Sequence, residues 1–113
     1  MKIAVVVPCY NVSKHIEEVV QGLPEFITWI IAVNDCSKDN TDAILLRLAE
    51  RNKKIVYLKH KINQGVGAAM ITGYKKSLEL NADLIIKMDG DGQMDPENIQ
   101  DLIKPLIEDK ADF

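Results

Sequence analysis

Much that would announce a function at sight is missing from this chain. It has two cysteines, Cys9 and Cys36, far apart and in no Cys-x-x-Cys pair. The usual zinc pattern is therefore excluded, and two reduced thiols are the expectation. The two histidines, His15 and His60, stand alone without metal-ligand spacing, so both read as surface residues. No Gly-x-Ser-x-Gly or other nucleophile signature is present. Residues 3–7 are apolar but run straight into Pro8, too short for a signal peptide, and no apolar run approaches membrane-spanning length. Basic patches are absent too. The net charge is −3 with Lys and Arg scattered, which argues against a nucleic-acid binder. Any anionic ligand needs local help from backbone N–H groups or a metal. Low-complexity segments, linkers and internal repeats are also missing.

What remains is one ordinary globular domain over residues 1–113, 47% apolar and 27% charged. Residues 2–7 (KIAVVV) read as a strand buried on both faces. Ser13 is placed to cap a helix whose Ile16, Val19, Val20 and Leu23 recur at helical spacing, until Gly22 and Pro24 break it. Residues 28–33 (TWIIAV) read as a second buried strand, with Trp29 in the core. A polar turn-rich loop at 34–41 follows, then a helix with Ile44, Leu45, Leu48 and Ala49 on its apolar face. Residues 54–59 (KIVYLK) form a third strand. The loop at 63–67 opens a helix through about Leu80, expected to pack Ala68, Ala69, Ile71, Tyr74 and Leu78 inward and to leave Lys75 and Lys76 solvated. Residues 83–88 (DLIIKM) form a fourth strand. Pro96 suits the first turn of a last helix bearing Ile99, Leu102, Ile103, Leu106 and Ile107, kinked or stopped at Pro105; Ala111, Asp112 and Phe113 begin a fifth strand.

Strand–helix alternation predicts an α/β fold with a mainly parallel sheet and helices on both faces, a Rossmann-like three-layer α/β/α arrangement. In such sheets ligands bind at the carboxyl ends of the strands. The polar and glycine-rich stretches at 8–11, 34–41, 60–67 and 89–93 all follow strand ends, so they collect on one edge.

Within Asp89-Gly90-Asp91-Gly92-Gln93, carboxylates two apart can converge if the glycines permit the turn, and the Gln93 amide oxygen adds a donor. Hard divalent cations take such oxygen ligands, and Mg²⁺ or Mn²⁺ keeps positions open for a diphosphate. A plain surface turn with Asp95 capping the next helix is the alternative. An EF-hand loop fails, because Met94 occupies the sharp-turn glycine position and Gln100 the twelfth. Asp35, near the end of the second strand, can accept from a nucleobase N–H or a ribose hydroxyl. Asp39 either does the same or caps the helix starting near Thr41. The stretch from Gly65 is no dinucleotide fingerprint: Met70 replaces the third glycine, and the motif follows the third strand. Its glycines allow close approach of backbone to a ligand or to the sheet.

Four segments, VVVPCYN at 5–11, VNDCSKDNT at 33–41, NQGVGAAMITGY at 63–74 and KMDGDGQMDPE at 87–97, together resemble the donor-binding half of family 2 glycosyltransferases with the GT-A fold. The nearest resemblance is to dolichol- and polyprenyl-phosphate sugar transferases, although Val12 stands where many have Glu and Met94 where His is frequent. The resemblance implies a strand order 3-2-1-4 and a nucleotide pocket lined by Pro8, Tyr10, Asn11 and Asp35, with Asp39, Gly65 and Gly90 beside it. It also implies a metal site, Mg²⁺ or Mn²⁺, at Asp89, Asp91 and Gln93. The implied donor is a UDP- or GDP-sugar, and the implied acceptor a polyprenyl phosphate or a glycan. Family members continue further, so the carboxylate base for the acceptor is expected beyond Phe113. The chain is then the N-terminal part of a longer inverting enzyme, incomplete for catalysis alone. The expected location is the cytoplasm, with any membrane association belonging to the parent protein. Apolar surface left by the missing part predicts a homo-oligomer. A non-catalytic nucleotide-binding or assembly module is the competing expectation.

Overall fold

The computed structural model describes residues 1–90. Asp91, Gln93, the expected last helix and the expected fifth strand beginning at Ala111 lie outside the described residues. The same holds for the acceptor base expected beyond Phe113, so no described residue is assigned that role. The elements in chain order are β1 (Ile3–Cys9), α1 (Ile16–Gln21), β2 (Trp29–Asn34), α2 (Thr41–Arg51), β3 (Ile55–Lys59), α3 (Val66–Glu79) and β4 (Leu84–Lys87). The four strands form one parallel sheet in the order β3-β2-β1-β4. This is the α/β architecture and strand order expected above.

β1 sits at the centre, and every one of its residues is buried. Because side chains alternate across a strand, it feeds two cores. Ile3, Val5, Val7 and Cys9 pack with Ile16, Val19 and Val20 of α1 and Leu45 and Leu48 of α2. Ala4 and Val6 face the other way, with Ile31 and Val33 of β2 and Ala69 and Met70 of α3. Trp29 is half-buried at the border of that second core. Each fully buried Val or Ile contributes about 1.5–3 kcal/mol of transfer free energy, so the continuous β-branched run fixes the strand's central place.

Two local expectations are overturned. The buried face of α3 is Ala69, Met70, Gly73 and Ser77, whereas Ile71, Tyr74 and Leu78 are exposed. The cause is close approach: a side chain at Gly73 would run into Val6, so the helix presents its small residues to the sheet and turns its large ones outward. Ser13 caps nothing. α1 begins at Ile16 without a side-chain cap, and Asp39 Oδ2 accepts the Ser13 backbone N–H at 3.2 Å.

Candidate functional site

The carboxyl ends of β1 and β2 and the start of α3 enclose a cleft of about 70 Å³ lined by Pro8, Cys9, Tyr10, Asp35, Val66 and Ala69. Sites that hold whole small molecules run from about 300 to 1,000 Å³, so this one suits one end of a ligand rather than all of it. Among the described lining residues Asp35 alone is charged.

Asp35 follows directly on β2 and is only 3% exposed. Its Oδ1 accepts the Gln64 N–H at 2.9 Å and faces His60 Nδ1 at 2.8 Å; its Oδ2 accepts the Gly65 N–H at 2.7 Å. Burial pushes this carboxyl up. The bonds from Gln64, His60 and Gly65 outweigh burial and leave it below the ordinary carboxylate value. Gly65 can turn its N–H inward because its backbone lies at φ +94°, ψ 164°, a region open essentially to glycine alone.

His60 corrects the sequence reading. It is 9% exposed rather than a surface residue. Its backbone N–H continues the β2–β3 ladder to the Asn34 carbonyl at 2.8 Å, which draws the ring in behind Asp35. A carboxylate only accepts, so Nδ1 is the donor toward Asp35. The Nε2 edge meets Thr72 Oγ1 of α3 at 2.8 Å. The signal available in sequence was position: His60 directly follows the β3 stretch, on the same edge as Asp35.

The remaining expected nucleotide residues knit two loops together. Asn11, at φ +52°, accepts the Lys38 N–H on Oδ1 at 2.8 Å, and its own N–H goes to Ser37 Oγ at 3.0 Å. Thr41 Oγ1 accepts the Val12 N–H at 3.0 Å. Asp39 accepts from the Thr41 N–H on Oδ1 and from Ser13 on Oδ2. Slight burial works against it, but the bonds from Thr41 and Ser13 bring its carboxyl down to about 2. Beneath this loop Asn34 is fully buried. It binds the Ser37 N–H at 3.0 Å on one side and the Tyr57 hydroxyl at 2.9 Å on the other. Tyr57 in turn donates to Asp42.

Asp89 and Gly90 follow β4. The Asp89 carboxylate is 40% exposed and 3.7 Å from Lys87 Nζ. Gly90 is buried, and a Cβ there would lie 3.4 Å from the Pro8 carbonyl oxygen, so the turn tucks against the wall of the cleft. Among the described residues no three His, Cys, Asp or Glu side chains gather as a metal site. Of the expected acidic pair only Asp89 is described. A half-exposed carboxylate at a strand end supplies oxygen donors of the kind a hard divalent cation takes.

Residues 4–113 match the model of the glycosyl transferase family 2. The chain is 40% identical over 124 aligned positions to the UDP-N-acetylglucosamine–dolichyl-phosphate N-acetylglucosaminyltransferase of Methanococcus voltae, covering 98% of this chain and 49% of that protein. It is 38% identical to the dolichyl-phosphate beta-glucosyltransferase ALG5C of Trichomonas vaginalis, covering 89% of this chain and 32% of the relative. The chain thus spans about half or less of the length of these relatives. Among solved structures, S. aureus TarS 1-349 in complex with UDP superposes with a TM-score of 0.74 at 24% identity, covering 96% of this chain and 32% of that one. At that identity the likeness establishes the GT-A fold.

Proposed function

The chain belongs to glycosyl transferase family 2, and from that premise we propose that it is the donor-binding part of a metal-dependent inverting transferase that takes a UDP- or GDP-sugar. The observation that carries this reading is the cleft at the strand ends, where Pro8, Tyr10 and Asp35 meet around a fixed, ionised carboxylate. The apolar walls suit a flat base, and Asp35 suits a base N–H. Asp89, Asp91 and Gln93 would hold Mg²⁺ or Mn²⁺, which offsets charge on the departing nucleoside diphosphate. In this reading Asn11 and Asp39 serve by holding the pocket loops, since both already bind backbone groups.

Relatives named for dolichyl phosphate favour a polyprenyl-phosphate acceptor over a glycan. No described helix is long and apolar enough to cross a membrane. Self-association belongs to the same proposal: Ile71, Tyr74 and Leu78 form an exposed apolar stripe on α3. A concentration-dependent increase in sedimentation coefficient would support it, and an unchanging monomer would remove it.

Titration of UDP and GDP with and without Mn²⁺, repeated on Asp89→Ala and Asp91→Ala, tests the central claim. Binding that needs the metal and is lost in both variants is expected. Binding indifferent to metal and to both substitutions would instead make the chain a nucleotide-binding or assembly module.

A further inference from the structure

Asp35 has a proton inventory that leaves one place open. An ionised carboxylate offers about four acceptor positions. Oδ1 takes Gln64 N–H and His60 Nδ1, and Oδ2 takes Gly65 N–H, which leaves one position on Oδ2. Asp35 is also the acidic member of the cleft lining. A single lone pair presented to an apolar slot recognises one donor, and the imide N–H of uracil or guanine is such a donor. Cytosine carries an acceptor at the equivalent ring nitrogen.

Where that lone pair points depends on the carboxylate's rotation about its last torsion. Two of the three groups that fix this rotation are backbone N–H groups of one turn. The third is the His60 ring, the one side-chain donor to Asp35 among the described residues. The ring's far edge meets Thr72 Oγ1, whose one hydroxyl proton serves either Nε2 or the Ala68 carbonyl, 3.0 Å away within α3. The chain of contacts runs from the end of β2 through the end of β3 to the second turn of α3. Such a brace sets an angle as well as a position.

We infer that His60 is a positioning residue that sets base selectivity by fixing the orientation of Asp35, with Thr72 as its anchor. This rests on the nucleotide reading above. His60 touches no ligand in this role; it governs which bases Asp35 accepts.

The experiment compares UDP, CDP and 3-methyl-UDP, each with Mn²⁺, on the whole chain and on three variants. The unaltered chain is expected to bind UDP about ten- to a hundredfold more tightly than CDP or 3-methyl-UDP, the range for one hydrogen bond to a charged group. His60→Gln places an amide nitrogen where Nε2 was, and so keeps the Thr72 contact but loses the one to Asp35. UDP binding should fall toward that of CDP, with CDP binding little changed. His60→Asn places its amide nitrogen where Nδ1 was, without the reach to Thr72, and should restore part of the UDP/CDP ratio, as Thr72→Val keeps part of it. Thr72→Val removes the anchor alone and should lower the ratio partway; it carries the test should His60→Gln fail to fold. An equal loss for UDP and CDP in His60→Gln would show a merely structural role and overturn the inference, as would a His60→Asn variant no better than His60→Gln. If the unaltered chain binds none of the three nucleotides and does not bind GDP either, the nucleotide reading itself falls and takes this inference with it; binding of GDP alone keeps that reading and overturns this inference.

Discussion

Gly73 of α3 lies directly against Val6 of β1, with no room between them for a Cβ. Overpacking a tight core site costs about 1–3 kcal/mol. Gly73→Ala should therefore lower the free energy of unfolding in urea by about that much, although alanine is the better helix former. Adding Val6→Ala should cost less than the two single losses combined, because the second substitution vacates the space that the first invades.

Gly65 and Gly67 stand two residues apart with opposite expectations. Neither has an atom within 4 Å of where a Cβ would sit, so neither is limited by space. Gly65 is limited by its φ of +94°, and Gly65→Ala should cost about 1–3 kcal/mol in stability. It should also weaken nucleotide binding, because the N–H held by Asp35 turns away. Gly67 lies in the first turn of α3, so Gly67→Ala should be neutral or stabilising by about 0.5–1 kcal/mol. Thermal melts of the two variants would separate conformation from packing.

Asp39 should leave a mark on acid unfolding. Its carboxyl falls from an ordinary 3.8 to about 2 in the folded chain. Between those values the folded state binds fewer protons than the unfolded one, so stability rises with pH across that window. The contribution is complete above about pH 4 and is lost as pH falls toward 2. Asp39→Asn should flatten that part of the stability–pH curve. The effect should survive added salt, since hydrogen bonds rather than ion pairs lower the value.

The two thiols should differ sharply in reactivity. Cys9 is buried beneath the cleft, and burial pushes its thiol up to about 12. Cys36 is half-exposed. A thiol-reactive dye should label Cys36 alone in the native chain and both cysteines in denaturant, with mass spectrometry of the digested protein assigning the site.

The sheet was legible because β-branched runs and turn residues mark buried strands whatever the tertiary detail. Four runs alternating with helices leave little choice of topology. Asp35 was legible for the same reason: a carboxylate at a strand end faces the ligand edge. The orientation of α3 was not. Ile71, Tyr74 and Leu78 satisfy a hydrophobic stripe as well as Ala69, Met70 and Gly73 do, and only the closeness of Val6 decides between them. His60 escaped notice because its partners lie 25 and 12 positions away along the chain, and its polarity argued for solvent. Ser13 matched a helix-cap pattern, but α1 begins only at Ile16, three residues on, with no side-chain bond capping its start.

The side chains of Asn11, Ser37, Asp39 and Thr41 tie the segment after β1 to the segment after β2 through each other's amides. These loops behave as one hinge-free plate, because each stitch spans both. Lengthening either by a single residue would slip several stitches at once, whereas, among the described residues, the connections at the opposite rim of the sheet carry no such lacing to the cleft. Engineered insertions intended to spare ligand capture therefore belong on that far rim.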